Sequence, residues 1–424
     1  MKIAIIGSGI AGNVVAHHLH RTHDIAVFEA ASHIGGHTHT HTVALDGERH
    51  HIDTGFIVFN DWTYPNFMAL LHELEVESQP SAMSFSVRNE ASGLEYNGTT
   101  LNTLFAQRRN LLRPSFHRML RDILRFNREA PALLNSVQET NLGRYLAEGQ
   151  YSQQFINDYL IPMGAAIWST DPQRMLSFPA RYFVQFFHNH GMLSVDKRPQ
   201  WRAIRGGSAR YVEKLVAPFK QRIRLNTPVQ SVRRLPDGVM IKTPNAEAER
   251  FDQVFLACHS DQALGLLADA SPLEKSVLGA IPYQENEAVL HTDTALLPRN
   301  RRAWAAWNYH VMGHPASSRA TLTYNMNTLQ SLQSRHTFCV TLNRSAHIAP
   351  AKVIQRLLYH HPLYTPAGVA AQQRQHEVNG VNRTYFCGAY WRFGFHEDGV
   401  VSGLNALKHF EQATHAQRDL SRVA

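Results

Sequence analysis

The sequence predicts an α/β fold in which a parallel sheet flanked by helices is interleaved with an α+β unit containing an antiparallel sheet. Three observations predict it. An apolar strand at residues 2–6 runs through a glycine-rich turn into an apolar-periodic stretch ending at Leu19. A second strand, 25–28, ends on the acidic Glu29. Short alternating segments then recur between residues 287 and 342.

The first strand, Lys2-Ile3-Ala4-Ile5-Ile6, leads into Gly7-Ser8-Gly9-Ile10-Ala11-Gly12. Gly7 permits the tight exit from the strand, Gly9 lets the backbone approach a pyrophosphate, and Gly12 allows close packing of helix on strand. Exposed amides at the helix start face the anion, which places Ser8 and Ala11 beside it. Glu29 lies about twenty residues beyond the glycines, where a carboxylate accepts hydrogen bonds from a ribose. Strand, turn, helix and acid agree on a Rossmann-like domain for a dinucleotide with an unphosphorylated adenosine ribose, NAD or FAD.

The segment after Glu29, Ala30-Ala31-Ser32-His33-Ile34-Gly35-Gly36-His37, resembles the second glycine pair of FAD-binding oxidoreductases of the amine oxidase and phytoene desaturase type. Five further segments resemble the same superfamily. His51-Ile52-Asp53-Thr54-Gly55-Phe56 is similar to its strand end beneath the isoalloxazine, and Arg205-Gly206-Gly207-Ser208 to its turn back to the cofactor domain. Thr227-Pro228-Val229 is similar to the strand whose backbone meets the adenine. Arg383 through Gly388 resembles the terminal FAD strand, with Gly394 through Gly403 as the turn and helix start against the flavin.

The resemblance implies FAD as cofactor, held by Gly35, Gly36, His37, Thr54, Gly55, Phe56, Val229, Gly388, Glu397, Gly399 and Val400 in addition to Gly7, Ser8, Gly9, Ala11, Gly12 and Glu29. More narrowly, Asp53 through Asn60, Met83-Ser84-Phe85-Ser86-Val87 and Phe386 through Trp391 resemble a bacterial subgroup of predicted NAD/FAD-binding proteins, which is associated with fatty-acid-modifying enzymes of the cyclopropane synthase type. Two departures stand out. His37 replaces the usual arginine, making the charge near the phosphates weaker or pH-dependent. The acidic residue that commonly follows the terminal glycine is replaced by Ala389-Tyr390-Trp391, although Glu397 is present.

At 424 residues the chain is too long for one ordinary core, and two intertwined domains are expected. The cofactor domain is assembled from 1–60, 200–265 and 378–424, with 61–199 and 266–377 forming the substrate domain. Strands at 240–242 and 251–257 are expected to rejoin the parallel sheet. Helices are expected at 64–74, 114–130 and 142–163, and antiparallel strands at 287–291, 303–309, 320–327 and 337–342.

Glycines interrupt the apolar start and no cleavage site follows, so it does not read as a signal sequence. No stretch reaches the roughly twenty apolar residues of a membrane span. Cys258, Cys339 and Cys387 show no metal or redox pattern and fit a cytoplasmic protein. The formal charge of +8 is concentrated in Arg108, Arg109, Arg113, Arg118, Arg121, Arg125 and Arg128. Phe116, Met119, Leu120, Ile123, Leu124 and Phe126 form the apolar stripe of the same helix. That combination fits either a core-packed helix with a solvated face or a surface that docks peripherally on anionic lipid at the inner membrane face. No nucleic-acid recognition motif is present, and the sequence does not fix the oligomeric state.

His37, His39 and His41 alternate as in one face of a strand, but no carboxylate or cysteine completes a ligand spacing, so no metal site is assigned. His360-His361 reads as a helix end. Ser208 lies outside a Gly-x-Ser-x-Gly elbow, which leaves hydrolase chemistry without support. Flavin chemistry asks chiefly for placement of a substrate C–H over N5, so the candidates for the catalytic site are pocket residues: Phe56, Tyr309, Tyr324, Asn327 and Phe395. Phe395 matches the position of an aromatic cage residue in the amine oxidases.

Three readings follow. The first is an FAD-dependent oxidoreductase acting on an apolar, lipid-like small molecule such as an unsaturated fatty acyl chain, by desaturation, saturation or isomerisation. The second is a flavin amine oxidase producing hydrogen peroxide. The third is a flavin-binding scaffold without catalysis.

Overall fold

The computed structural model describes residues 1–136, 139–244, 246–313 and 319–423, with 416–423 described only as helix. At its centre lies a parallel sheet in the order Ile223–Arg224, Asp24–Phe28, Lys2–Ile6, Gln253–Leu256 and Thr384–Phe386. Ile3, Ala4, Ile5, Val27, Val254, Phe255 and Leu256 are all buried, as continuous apolar runs must be when both faces of a parallel sheet are covered. Helix Ile10–Leu19 follows the first strand, and the terminal helix His396–Val423 packs on it. The two helices approach closely because Gly399 and Gly403 carry no side chain. A Cβ on Gly399 would lie 2.6 Å from Ile10 Cγ2, and one on Gly403 would lie 3.0 Å from the Ala11 carbonyl oxygen.

A second, seven-stranded sheet runs in the order Val353–Pro362, Tyr283–His291, Cys339–Leu342, Leu322–Asn325, Trp307–Val311, Phe85–Asn89 and Leu94–Asn97. Its pairings are antiparallel except that of Trp307–Val311 with Phe85–Asn89. The four expected strands are present with shifted ends. The third stops at Asn325, whose side chain accepts from the Thr328 amide and opens the short helix Met326–Leu329.

Several expectations are corrected. Gly238–Lys242 pairs in a separate antiparallel sheet with Ser231–Leu235 and Glu249–Phe251, and only Gln253–Leu256 returns to the parallel sheet. Residues 227–229 form no strand, because Pro228 has no amide for a ladder. His360-His361 lies in the strand Val353–Pro362 rather than at a helix end. The helix expected at 142–163 is broken into Leu142–Glu148, Gln153–Phe155 and Ile161–Trp168, with a widened π turn at Ile156–Leu160 before Pro162, which cannot donate.

Helices Pro65–Glu73 and Pro114–Glu129 form as expected. The latter buries Phe116, Met119, Asp122 and Phe126 and leaves Leu124 exposed. Arg125 does not belong to its solvated face. Its guanidinium lies 4.0 Å from the Tyr151 ring centroid and pairs with Asp122 at 3.3 Å. Among the described residues no helix is long and apolar enough to cross a membrane.

Candidate cofactor and substrate site

The glycine turn closes tightly behind and opens in front. The Gly7 amide donates to the Phe28 carbonyl at 2.8 Å. A Cβ on Gly12 would stand 2.0 Å from the Gly7 carbonyl oxygen, and one on Gly7 would stand 2.7 Å from that of Ala257. A Cβ on Gly9 would meet nothing within 4 Å. The turn is therefore packed where helix meets strand and clear where a pyrophosphate needs backbone approach. Glu29 sits at its mouth, accepting from the Ser8 amide at 2.9 Å, the Ser8 hydroxyl at 2.5 Å and the Ala31 amide at 2.8 Å.

The second glycine pair lies directly against this turn. The Gly35 amide donates to the Ser8 carbonyl at 3.0 Å, and a Cβ on Gly36 would lie 3.1 Å from Gly9 Cα. Segment 53–56 packs on the next residues. The Phe56 amide donates to the His37 carbonyl at 2.7 Å, a Cβ on Gly55 would come within 2.1 Å of that oxygen, and the Thr54 hydroxyl donates to the His39 carbonyl at 3.2 Å. Residues 7–12, 29, 35–37 and 54–56 thus share one cradle, and its clearances fit a dinucleotide.

The remaining expected cofactor residues occupy its flanks. Val229 is partly buried against the other side of the sheet. The Gly388 amide donates to the Ser402 hydroxyl at 2.9 Å, and Val400 is buried in the core beneath the glycine turn. Glu397 accepts from Asn66 Nδ2 at 2.6 Å and from the Asn66 and Phe67 amides at 3.1 and 2.8 Å. It thereby caps helix Pro65–Glu73, whose first amides have no partner within the helix.

The sequence pattern alone does not single out Thr38, Tyr211 and His396. Their buried chain links the cradle to the terminal helix. Thr38 Oγ1 and the Tyr211 hydroxyl are 2.7 Å apart, and that hydroxyl is 2.6 Å from His396 Nε2. The His396 ring stacks on Phe56 with centroids 3.7 Å apart. Burial, with a smaller push from His37, drives the His396 imidazole down to about 3, so the ring is neutral.

The expected one-faced row of His37, His39 and His41 is corrected. His39 gathers with His33 at 3.9 Å and with His41 at 4.1 Å, while His37 turns toward Tyr359, His361 and His259 at 5.1, 5.4 and 6.2 Å. The strand begins only at Thr40, so His37 precedes the alternation. Among the described residues no group of three or more His, Cys, Asp or Glu side chains is placed to hold a metal ion.

Of the five pocket candidates, Phe56 lies in the cradle and Phe395 beside it. Phe395 stacks on Phe186 at 5.0 Å and approaches His190 at 6.0 Å. Phe186 in turn meets Trp168 at 4.9 Å, and Phe393 meets Tyr182 at 4.6 Å, so helices Ile161–Trp168 and Ala180–Asn189 raise an aromatic wall. A cleft beside Phe395 is lined by Tyr64, Asn189, His190, Arg392 and Asp398. Burial pushes the Asp398 carboxyl up to about 7 and the His190 imidazole down to about 4. Tyr309 is buried and Tyr324 half-buried on neighbouring strands, Tyr324 edge-on to Trp307 at 5.0 Å. Both ends of the Asn327 amide are occupied, donating to the His336 carbonyl and accepting from the Phe338 amide, each at 2.8 Å. That occupancy makes Asn327 a tie for the loop before Cys339–Leu342.

Residues 10–299, well over half the chain, match the model of the flavin containing amine oxidoreductases. The chain belongs to that family. As a flavin amine oxidoreductase it is an FAD-dependent enzyme, in agreement with the clearances of the cradle and with the expected fold class. Cyclohexylamine oxidase from Brevibacterium oxydans IH-35A has the same fold at 17% identity, with a TM-score of 0.69 over 97% of this chain and 99% of its own. Putrescine oxidase bound to putrescine aligns at 13% identity and a TM-score of 0.67, covering 97% and 99%. The CLA-producing fatty acid isomerase from P. acnes aligns at 15% and 0.62, covering 96% and 98%. No curated protein matches the sequence. The family therefore settles FAD as the cofactor of this oxidoreductase, whereas neighbours this distant speak only for the fold.

Proposed function

We propose that this flavin amine oxidoreductase acts on an apolar, lipid-like substrate, an unsaturated fatty acyl chain that it desaturates, saturates or isomerises. The observation that carries this reading is the covered face of Phe395. An amine cage needs two aromatic faces turned toward each other across a gap, but the Phe395 ring lies 27° from parallel against Phe186, inside the aromatic wall. A single aromatic wall suits a hydrocarbon chain. FAD, when bound, supplies the site that accepts or returns a hydride at N5. The chain's own residues do the placing. The stacked Phe56–His396 pair and Tyr211 form a rigid support, the aromatic wall excludes water from the reacting C–H, and the neutral His396 adds no charge beside it. Anaerobic mixing of a panel of saturated, monounsaturated and diunsaturated fatty acids with the yellow holoenzyme, and separately with holoenzyme photoreduced beforehand, tests this, read as flavin absorbance and as product mass and double-bond position. A lipid panel that leaves absorbance, mass and double-bond position all unchanged rejects the reading.

The Asp398 and Glu397 carboxylates near Phe395 favour a second reading, an amine substrate drawn in as its ammonium ion. Hydrogen peroxide release across a panel of alkyl and aryl amines, with inert fatty acids, would establish it.

Peripheral contact with an anionic membrane supports delivery of a lipid. Leu112 is 87% exposed, Leu101 76% and Leu124 58%, side chains that ordinarily seek burial, and Arg108, Arg109, Arg118, Arg121 and Arg128 lie exposed around them. Each arginine near an anionic surface contributes about 1 kcal/mol. The double variant Arg118→Gln/Arg121→Gln is therefore expected to weaken binding to phosphatidylserine vesicles by about 2 kcal/mol, roughly thirtyfold. Unchanged sedimentation with vesicles counts against the contact.

A further inference from the structure

We infer that His37, together with His259 and His361, forms a proton-accepting cradle for the pyrophosphate of FAD, so that cofactor binding draws protons from solvent onto the protein. The inference rests on FAD as the family's cofactor and assigns this chain's histidines a role toward it.

Position comes first. His37 follows Gly36, which touches Gly9, and Gly9 faces the open space in front of the glycine turn. Its carbonyl is fixed by the Phe56 amide and the close approach of Gly55, so the backbone there cannot drift. The His37 ring lies 5.1 Å from Tyr359 and 5.4 Å from His361, and its Nε2 is buried and has no partner. A nitrogen in that state carries a lone pair, which repels a phosphate oxygen. One added proton turns it into a charged donor.

The surroundings supply the coupling. From the end of strand Gln253–Leu256 come Cys258 and His259; from the edge strand Val353–Pro362 come Tyr359, His360 and His361; from the terminal helix comes His396. His259 lies 6.0 Å from His360 and stacks on Tyr283 at 4.4 Å. The nearby carboxylates, Glu29 and Asp261, act on the Cys258 thiol, and Glu29 is engaged by Ser8 and Ala31. Burial and mutual repulsion hold His37 down to about 4 and His259 and His361 down to about 3. His37, His259 and His361 are neutral until an anion enters, and a diphosphate supplies the negative charge that lifts those values. Nothing else changes in the step: the proton leaves solvent, one N–H bond forms at His37 Nε2, and no other bond is made or broken.

The test uses the full chain stripped of FAD and titrated with FAD between pH 5.5 and 8.5, followed by quenching of flavin fluorescence. For one proton taken up, affinity is expected to rise by up to about tenfold per unit fall in pH. Calorimetry of the wild-type protein in two buffers of different ionisation enthalpy counts the protons without any variant. His37→Arg, which carries its charge permanently, is expected to bind FAD with a flat pH profile and no net proton uptake. An affinity independent of pH, no proton uptake by the wild type, or unchanged uptake in His37→Arg overturns the inference. Absence of FAD binding at every pH overturns the cofactor assignment and the cradle with it.

Discussion

Gly9→Ala is expected to give protein that folds as stably as the wild type and yet is isolated colourless, whereas Gly12→Ala is expected to lose both stability and flavin. Family pattern alone would treat the two glycines alike, but their surroundings differ. The new methyl group at position 9 meets nothing within 4 Å in the protein itself, so its only collision is with the pyrophosphate whose approach Gly9 keeps clear. Loss of FAD affinity by at least about a hundredfold, close to 2.8 kcal/mol, is expected. At position 12 the methyl group would stand 2.0 Å from the Gly7 carbonyl oxygen and 3.1 Å from Ala257 Cβ. Backbone cannot rotate away as a side chain does, so helix Ile10–Leu19 must lift from the sheet at a cost of about 3 kcal/mol or more. Flavin-to-protein absorbance ratios and thermal melts of both variants check the pair. A yellow Gly9→Ala protein of normal affinity would place the pyrophosphate elsewhere.

The parts of this site that can be read in the sequence are those whose chemistry is local. Residues 7–12 and Glu29 lie within one βαβ unit, and their backbone demands appear directly as residue types. Long-range partnerships leave no such mark. Asp53 meets Ser208 across 155 positions and Gln330 across 277, and nothing at residue 330 announces it. The Tyr211–His396 bond spans 185 positions. His396 lies in the very string that draws attention to Phe395 and Glu397, but a histidine at a helix start carries no period or spacing to set it apart. Strand type is also easier to read than strand partner. Gly238–Lys242 is apolar enough for a strand, but only the turn at 235–238 decides that it pairs with Ser231–Leu235 and not with the parallel sheet. For His360-His361 the apolar run before it fits helix or strand equally, and pairing along Tyr283–His291 decides. Glu397 is legible as an acidic residue near the flavin segment. Its hydrogen bonds to Asn66 and Phe67 show the carboxylate holding a helix 330 positions away.

Asp53→Ala is expected to cost about 3–5 kcal/mol of stability. The carboxylate is fully buried and joins three distant segments at the cradle's edge. Its oxygens accept from the Ser208 amide at 2.9 Å, the Ser208 hydroxyl at 2.7 Å, the Thr40 hydroxyl at 2.5 Å and Gln330 Nε2 at 3.0 Å, while its own amide donates to Gln330 Oε1 at 3.0 Å. Alanine leaves the Ser208 amide buried without an acceptor and leaves Gln330 Nε2 with only the His51 carbonyl, at 3.3 Å. The Thr40 and Ser208 hydroxyls, 3.4 Å apart, can turn toward each other. Asp53→Asn keeps the shape but sets a second NH2 against Gln330 Nε2, whose partner oxygen is fixed by the Asp53 amide, so it is expected to fall between alanine and wild type. The pH dependence distinguishes the two losses. Burial pushes the Asp53 carboxyl up from 3.8 to about 6, against the pull of Thr40 and Ser208. Between those values the folded protein holds a proton that the unfolded chain has released. The contribution of Asp53 titration to stability is therefore full below about pH 4 and is lost as pH rises through 6, a change of about 3 kcal/mol. Chemical denaturation of wild type and Asp53→Asn across pH 4–7 should show this slope in the former and its absence in the latter. Parallel slopes would mean that Asp53 is already ionised throughout that range, held charged by its four donors.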